Sequence, residues 1–208
     1  MKKKTNEGTR HVKDLVKKIT TGNRPVIITG ILFTITWLFI VLTAWIAGLH
    51  LYDFSITISA YIGLRLWTVL LYFCSATVMF ALLTIYALKT PMHKIKRLTY
   101  FIVFLSIWGC SIFPCNESWS ATVTQIHQSF AYSLMFSATF SFVLTIFLTK
   151  NNAVRVFAIS TLLYAIFFIF ALLIMRWHWF DETVFIWEIL CIYLLIIELL
   201  TERPRASK

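Results

Sequence analysis

Six stretches of this chain are apolar over lengths that a bilayer requires and water-soluble folds seldom use: roughly residues 25–48, 61–88, 98–113, 125–149, 153–175 and 183–200. A hydrocarbon core about 30 Å thick takes about 20 apolar helical residues at 1.5 Å each. Each stretch therefore reads as a membrane-spanning helix, the third being the shortest. Backbone polar groups inside lipid must be satisfied by the chain itself, in helices or in a closed barrel, and no stretch here alternates as barrel strands do. The sequence predicts an all-α integral membrane protein. Its parts are a basic segment over 1–24, a bundle of six transmembrane helices over 25–200 and a short tail over 201–208. Composition excludes the soluble alternatives, since 59% of residues are hydrophobic, 13% are charged and the mean hydropathy is +0.79, whereas a soluble domain carries about 25% charged residues.

Lys and Arg flanking a span stay on the cytoplasmic side. Eight of the 19 basic residues precede the first span, four surround the second connection (Lys89, Lys94, Lys96, Arg97), two the fourth (Lys150, Arg155) and three follow the last. With six spans, seventeen then fall on one side, leaving Arg65 and Arg176 on the other. Both termini are expected to be cytoplasmic, in a multi-pass protein of the cell membrane. The net charge of +10 is on this reading a topology signal, so nucleic acid is not expected as a partner. The expected partners are membrane lipids and other membrane proteins. Within the basic segment, Val12, Leu15, Val16 and Ile19 repeat at helical spacing between Arg10, Lys13, Lys17 and Lys18. That pattern suits an amphipathic helix lying on the cytoplasmic leaflet, with a frayed tail as the alternative.

Polar chemistry collects on the opposite face. Residues 52–59 alternate apolar and polar, as do 118–124, and the pair reads either as a small extracellular β-ribbon or as loops and helix extensions. Seven of the eight tryptophans fall near the outer span ends, as an interfacial belt does. Cys110 and Cys115 bracket the outer end of span three, and a disulfide and two free thiols both fit. No grouping of His and Cys has metal-site spacing, and no cofactor is expected.

Ionisable residues near or inside spans carry more information, because each is expensive there and normally faces a partner or a cavity. Glu188 lies in the outer half of span six, Arg65 near the outer end of span two and His127 at the outer start of span four. Arg176, His178, Asp181 and Glu182 border the last outer loop, and Asp53 lies in the first. Glu188 either pairs with Arg65 or Arg176 to stitch the bundle or joins a lipid-headgroup, substrate or proton site. Glu188, Cys191, Leu195, Glu198 and Glu202 fall within one face of span six, an acidic edge expected to point into the bundle; Glu198, near the cytoplasmic end, equally suits snorkelling toward Arg203 or Arg97, and that reading is preferred. Along span four, Gln125, Ser129, Ser133, Ser137, Ser141, Thr145 and Thr149 recur every four residues. Small residues so spaced admit close neighbours. Four residues overshoot a helical turn by about 40°, so the stripe should wind round to serve more than one neighbour, with span four central.

Six spans, Gly109 and the Phe113-Pro114 step closing the third, His127 opening the fourth and Glu188 in the last make a set. It resembles the six-span group that includes the damage-regulated autophagy modulators, the FGF-receptor-activating proteins and their bacterial relatives of unknown function. The resemblance implies a membrane location and lipid-related roles, without a defined reaction.

Two functions compete most closely. One is a non-catalytic accessory, sensor or protective membrane component with an extracytoplasmic polar cluster. The other is a lipid-binding or lipid-modifying protein in which His127 acts as a base or headgroup donor, Glu188 as its acidic partner, and Arg65 or Arg176 holds a phosphate. A transporter ranks third, since neither broken helices nor internal repeats are evident.

Overall fold

Apolar runs with almost no Pro or Gly in their interiors fold as long helices, because nothing within them interrupts the backbone hydrogen bonds that lipid makes obligatory. The computed structural model describes residues 13–46, 66–113, 120–170 and 184–201. They contain a short helix over 13–19 (α1) and six longer ones: α2 (Arg24–Ile46), α3 (Leu66–Lys89), α4 (Lys94–Ile112), α5 (Ala121–Leu148), α6 (Asn152–Phe170) and α7 (Val184–Thr201). No strand occurs among the described residues. Four helices, α2 to α5, are long and apolar enough to cross a membrane, and α6 and α7 are apolar but shorter over their best-described parts. The described residues are thus helical with short turns, and have the character of an α-helical membrane protein.

Local signals set the boundaries. The chain turns over 20–23 with Gly22 at φ 60°, a left-handed conformation that suits glycine. His93 caps α4, its Nδ1 accepting from the Ile95 N–H at 3.3 Å, which starts this helix four residues before the apolar run at 98. Ser120 caps α5 by accepting from the Val123 N–H at 3.5 Å. Residues 121–124, half of one segment expected to alternate as a strand, therefore form the first turn of α5. The cap and the long apolar continuation outweigh a short alternation. The other expected strand, 52–59, lies outside the described residues.

Helices adjacent in sequence pack against each other in space, and α7 closes the ring against α2 and α6. Two core clusters result. One joins Val26, Leu83, Tyr86, Tyr100, Val103, Phe104, Phe142, Leu195 and Leu199 from five helices. The other joins Phe33 and Ile40 of α2 to Tyr72, Ala76 and Met79 of α3. Outward faces stay apolar and exposed, as Ile31, Ile35 and Phe39 on α2 and Phe136, Phe140 and Phe147 on α5 illustrate. Bare apolar faces of this extent fit lipid rather than water. Contrary to expectation, α5 is not central. It packs on α4 and α6 and leaves much of its surface bare, whereas α7 sends Leu195, Glu198 and Leu199 into the interior.

Polar links between helices fix the register. Trp37 Nε1 donates to the Tyr193 hydroxyl at 3.1 Å. That hydroxyl lies 2.6 Å from Thr34 Oγ1, which itself donates to the Gly30 carbonyl at 2.8 Å. One proton per hydroxyl orders the relay from α2 through α7 and back to α2. Thr36 donates to Ser75 at 3.0 Å, and Tyr86 donates to the Leu199 carbonyl at 2.8 Å.

Candidate functional site

The basic end of the bundle holds a buried charge cluster. Every Lys and Arg among the described residues lies at the start of α2, α4 or α6, the end of α3, in α1 or in the α5–α6 turn. Lys89 Nζ reaches back to Thr20 Oγ1 at 2.8 Å. Lys96 alone turns inward. Its Nζ lies 3.4 Å from Oε1 of Glu198, with the two side chains 3% and 0% exposed, and passes 5.6 Å from the centre of the Tyr100 ring. Ser141 donates to Oε2 of Glu198 at 2.7 Å, and Thr145 bridges Lys96 and Oε1 of Glu198. Glu198 thus points into the bundle and not toward Arg97, which is bonded to the Thr90 carbonyl at 3.2 Å; Arg203 lies outside the described residues. The serine–threonine stripe of α5 supplies its ligands and winds as expected, since Ser133, higher up, bonds to Ser106 of α4 at 3.1 Å.

His127 occupies the opposite half. A buried residue on the second turn of α5, it has its Nδ1 2.6 Å from the Phe113 carbonyl oxygen beyond the end of α4. Cys110 donates to the His127 carbonyl at 4.0 Å, and the rings of Phe113 and Phe130 stack with centroids 5.9 Å apart. Gly109 lets this corner close, because a methyl group placed there would come within 2.6 Å of Phe130 Cγ. Gly109, Phe113 and His127, separate in sequence, therefore belong to one packed corner.

From that corner a cavity of about 280 Å³ descends between α5, α6 and α7. Along α5 it runs from His127 through Ala131, Met135 and Ala138 to Phe142. Thr161, Tyr164 and Ala165 of α6 and Cys191, Ile192 and Leu195 of α7 face it, with Tyr72 and Cys110 at its margin. The fifteen helical steps from His127 to Phe142 span about 22 Å of helix axis. Small side chains open this space: Ala131 and Ala138 stand two turns apart on α5, facing Ala165 on α6. The wall is mostly apolar, and none of its described residues is a Lys, Arg, Asp or Glu. Tyr164 of α6 and Cys191 of α7 both line this wall.

Of the residues singled out from sequence, His127 and Cys110 line this cavity. Glu188 falls within α7, and its side chain lies outside what the structure describes. Asp53, Arg65, Cys115, Arg176 and His178 also lie outside the described residues. Sequence reasoning missed Lys96, which it counted among the flanking charges, and the place of Tyr164 in the cavity wall. The signal for Lys96 was present in Ser141, Thr145 and Glu198, but no local pattern pairs them across three helices.

No protein-family model, curated protein or solved structure matches this chain.

Proposed function

We propose that this is a six-span cell-membrane protein with both ends cytoplasmic, and that it acts without catalysis by holding a lipid in a cavity that runs inward from the outer end of its bundle. The observation that carries the reading is the cavity between α5, α6 and α7: elongated, walled mostly by apolar side chains, without Lys, Arg, Asp or Glu among its described residues, and headed by a buried histidine. Ligand sites are concave and largely apolar with a few placed polar groups, and a cavity that runs along helices beside lipid suits an alkyl chain. The gathering of described Lys and Arg at one end supports the orientation, and α6 and α7, both apolar, supply the fifth and sixth spans. Membership of the group that includes the damage-regulated autophagy modulators and FGF-receptor-activating proteins belongs to the same proposal, supported by the contacts among Gly109, Phe130, Phe113 and His127.

The test is mass spectrometry of lipid that copurifies from native membrane. Wild-type protein should retain a defined species at near one per chain, and Ala138→Phe, which fills the cavity, should lose it while keeping its thermal stability. Equal lipid content in both would contradict the reading. A lipid-modifying role is the second reading, favoured by the buried imidazole of His127 in the cavity wall as a candidate base; it requires Glu188→Gln to change the copurified species rather than its amount.

A further inference from the structure

The head of the cavity has a fixed hydrogen-bonding sense. A carbonyl oxygen offers lone pairs and no proton, so the 2.6 Å contact between His127 Nδ1 and the Phe113 carbonyl places the proton on Nδ1. In the neutral imidazole Nε2 then carries a lone pair, and the ring can only accept at that edge. The threonines of the wall have the same sense. Thr139 donates to the Met135 carbonyl at 2.8 Å and Thr161 to the Phe157 carbonyl at 2.9 Å, so both hydroxyl protons are engaged within their own helices and only oxygen lone pairs remain. Among the described residues of the wall there is no Lys or Arg to receive an anion and no carboxylate to receive a cation.

We propose that the ligand is a neutral amphiphile whose polar group is a hydrogen-bond donor: a long-chain alcohol or another lipid with a free hydroxyl, delivered to Nε2 of His127, with its alkyl body running along α5 toward Phe142. This inference rests on the lipid-holding reading and adds the chemistry of the head. A buried acceptor left without a donor is costly, so the site selects a hydroxyl over an ether of the same shape. A phosphate, which is held best by cations, finds no Lys or Arg among the described residues of this wall.

The test uses full-length protein in nanodiscs and three photoreactive hexadecyl probes, ended respectively by an alcohol, its methyl ether and a phosphate monoester. Labelling of peptides from α5, α6 and α7 is then quantified. The alcohol should label Met135- and Leu194-containing peptides about tenfold more than the ether, and the phosphate no more than the ether. His127→Phe, which keeps a ring and removes the acceptor, should bring alcohol and ether to the same level. Equal labelling by alcohol and ether in wild type, or a preference for the phosphate, would overturn the assignment of the head while leaving a lipid site in place. Labelling by all three that is no greater than in Ala138→Phe would sink the lipid-holding reading and this inference with it. The wild-type comparison of three probes decides the matter even if the histidine variant does not fold.

Discussion

Lys96 on the first turn of α4 and Glu198 on the last turn of α7 form an ion pair at 3.4 Å that is closed to solvent, and two hydroxyls of α5 complete the coordination of the carboxylate. Three helices far apart in sequence thus meet on one acidic group. Such a pair stabilises little compared with apolar packing of the same volume, but removal of one partner leaves a buried charge and costs about 3–5 kcal/mol. Lys96→Met should therefore lower the melting temperature in detergent sharply. Lys96→Met combined with Glu198→Leu should recover most of the loss. A single variant that melts with wild type would show that the carboxylate reaches water.

The corner at Gly109 has no space for a side chain. Gly109→Ala forces a methyl group against the Phe130 ring, and overpacking of this kind costs about 1–3 kcal/mol. Phe130→Leu in the same chain should relieve it. Melting curves of the single and double variants check the pair, and an unchanged Gly109→Ala would mean that Phe130 lies elsewhere.

Tyr193 joins α7 to α2 through a hydroxyl that meets both Trp37 and Thr34. Tyr193→Phe removes both bonds and leaves the indole N–H facing an apolar ring edge, at a cost of about 1–3 kcal/mol. Tyr193→Phe with Trp37→Phe should cost less than the sum of the two single changes, a coupling that a double-mutant cycle measures. Simple additivity would deny the relay.

The gathering of positive charge predicts that tags at residues 1 and 208 are both shielded from a membrane-impermeant reagent in intact cells and both become reactive on permeabilisation. Reactivity of either tag in intact cells would contradict an even number of crossings.

Helix positions were legible in the sequence because lipid imposes them residue by residue. The expected span over 25–48 is α2 at Arg24–Ile46, and that over 125–149 is α5 at Ala121–Leu148. The His93 and Ser120 caps moved two helix starts upstream by about one turn, a local effect that hydropathy averages away. Partners were less legible. His127 was marked as costly in a span, and its cavity follows from that, but its bond to Phe113 depends on how tightly Gly109 lets α4 and α5 close. Glu198 was placed near the basic end correctly and given the wrong neighbours, because flanking arginines are close in sequence whereas Lys96, Ser141 and Thr145 become close only through packing. Periodicity reveals which residues share a face and says little about which faces meet. For the same reason the stripe of α5 was read as serving more than one neighbour while its helix was wrongly placed at the centre.

A density map of protein purified gently from native membrane tests the central claim most directly. The account predicts an elongated density between α5, α6 and α7, its head against His127 and its tail reaching Phe142. Helices closed upon one another there, with the space filled by their own side chains and the histidine ring turned to the lipid, would contradict it.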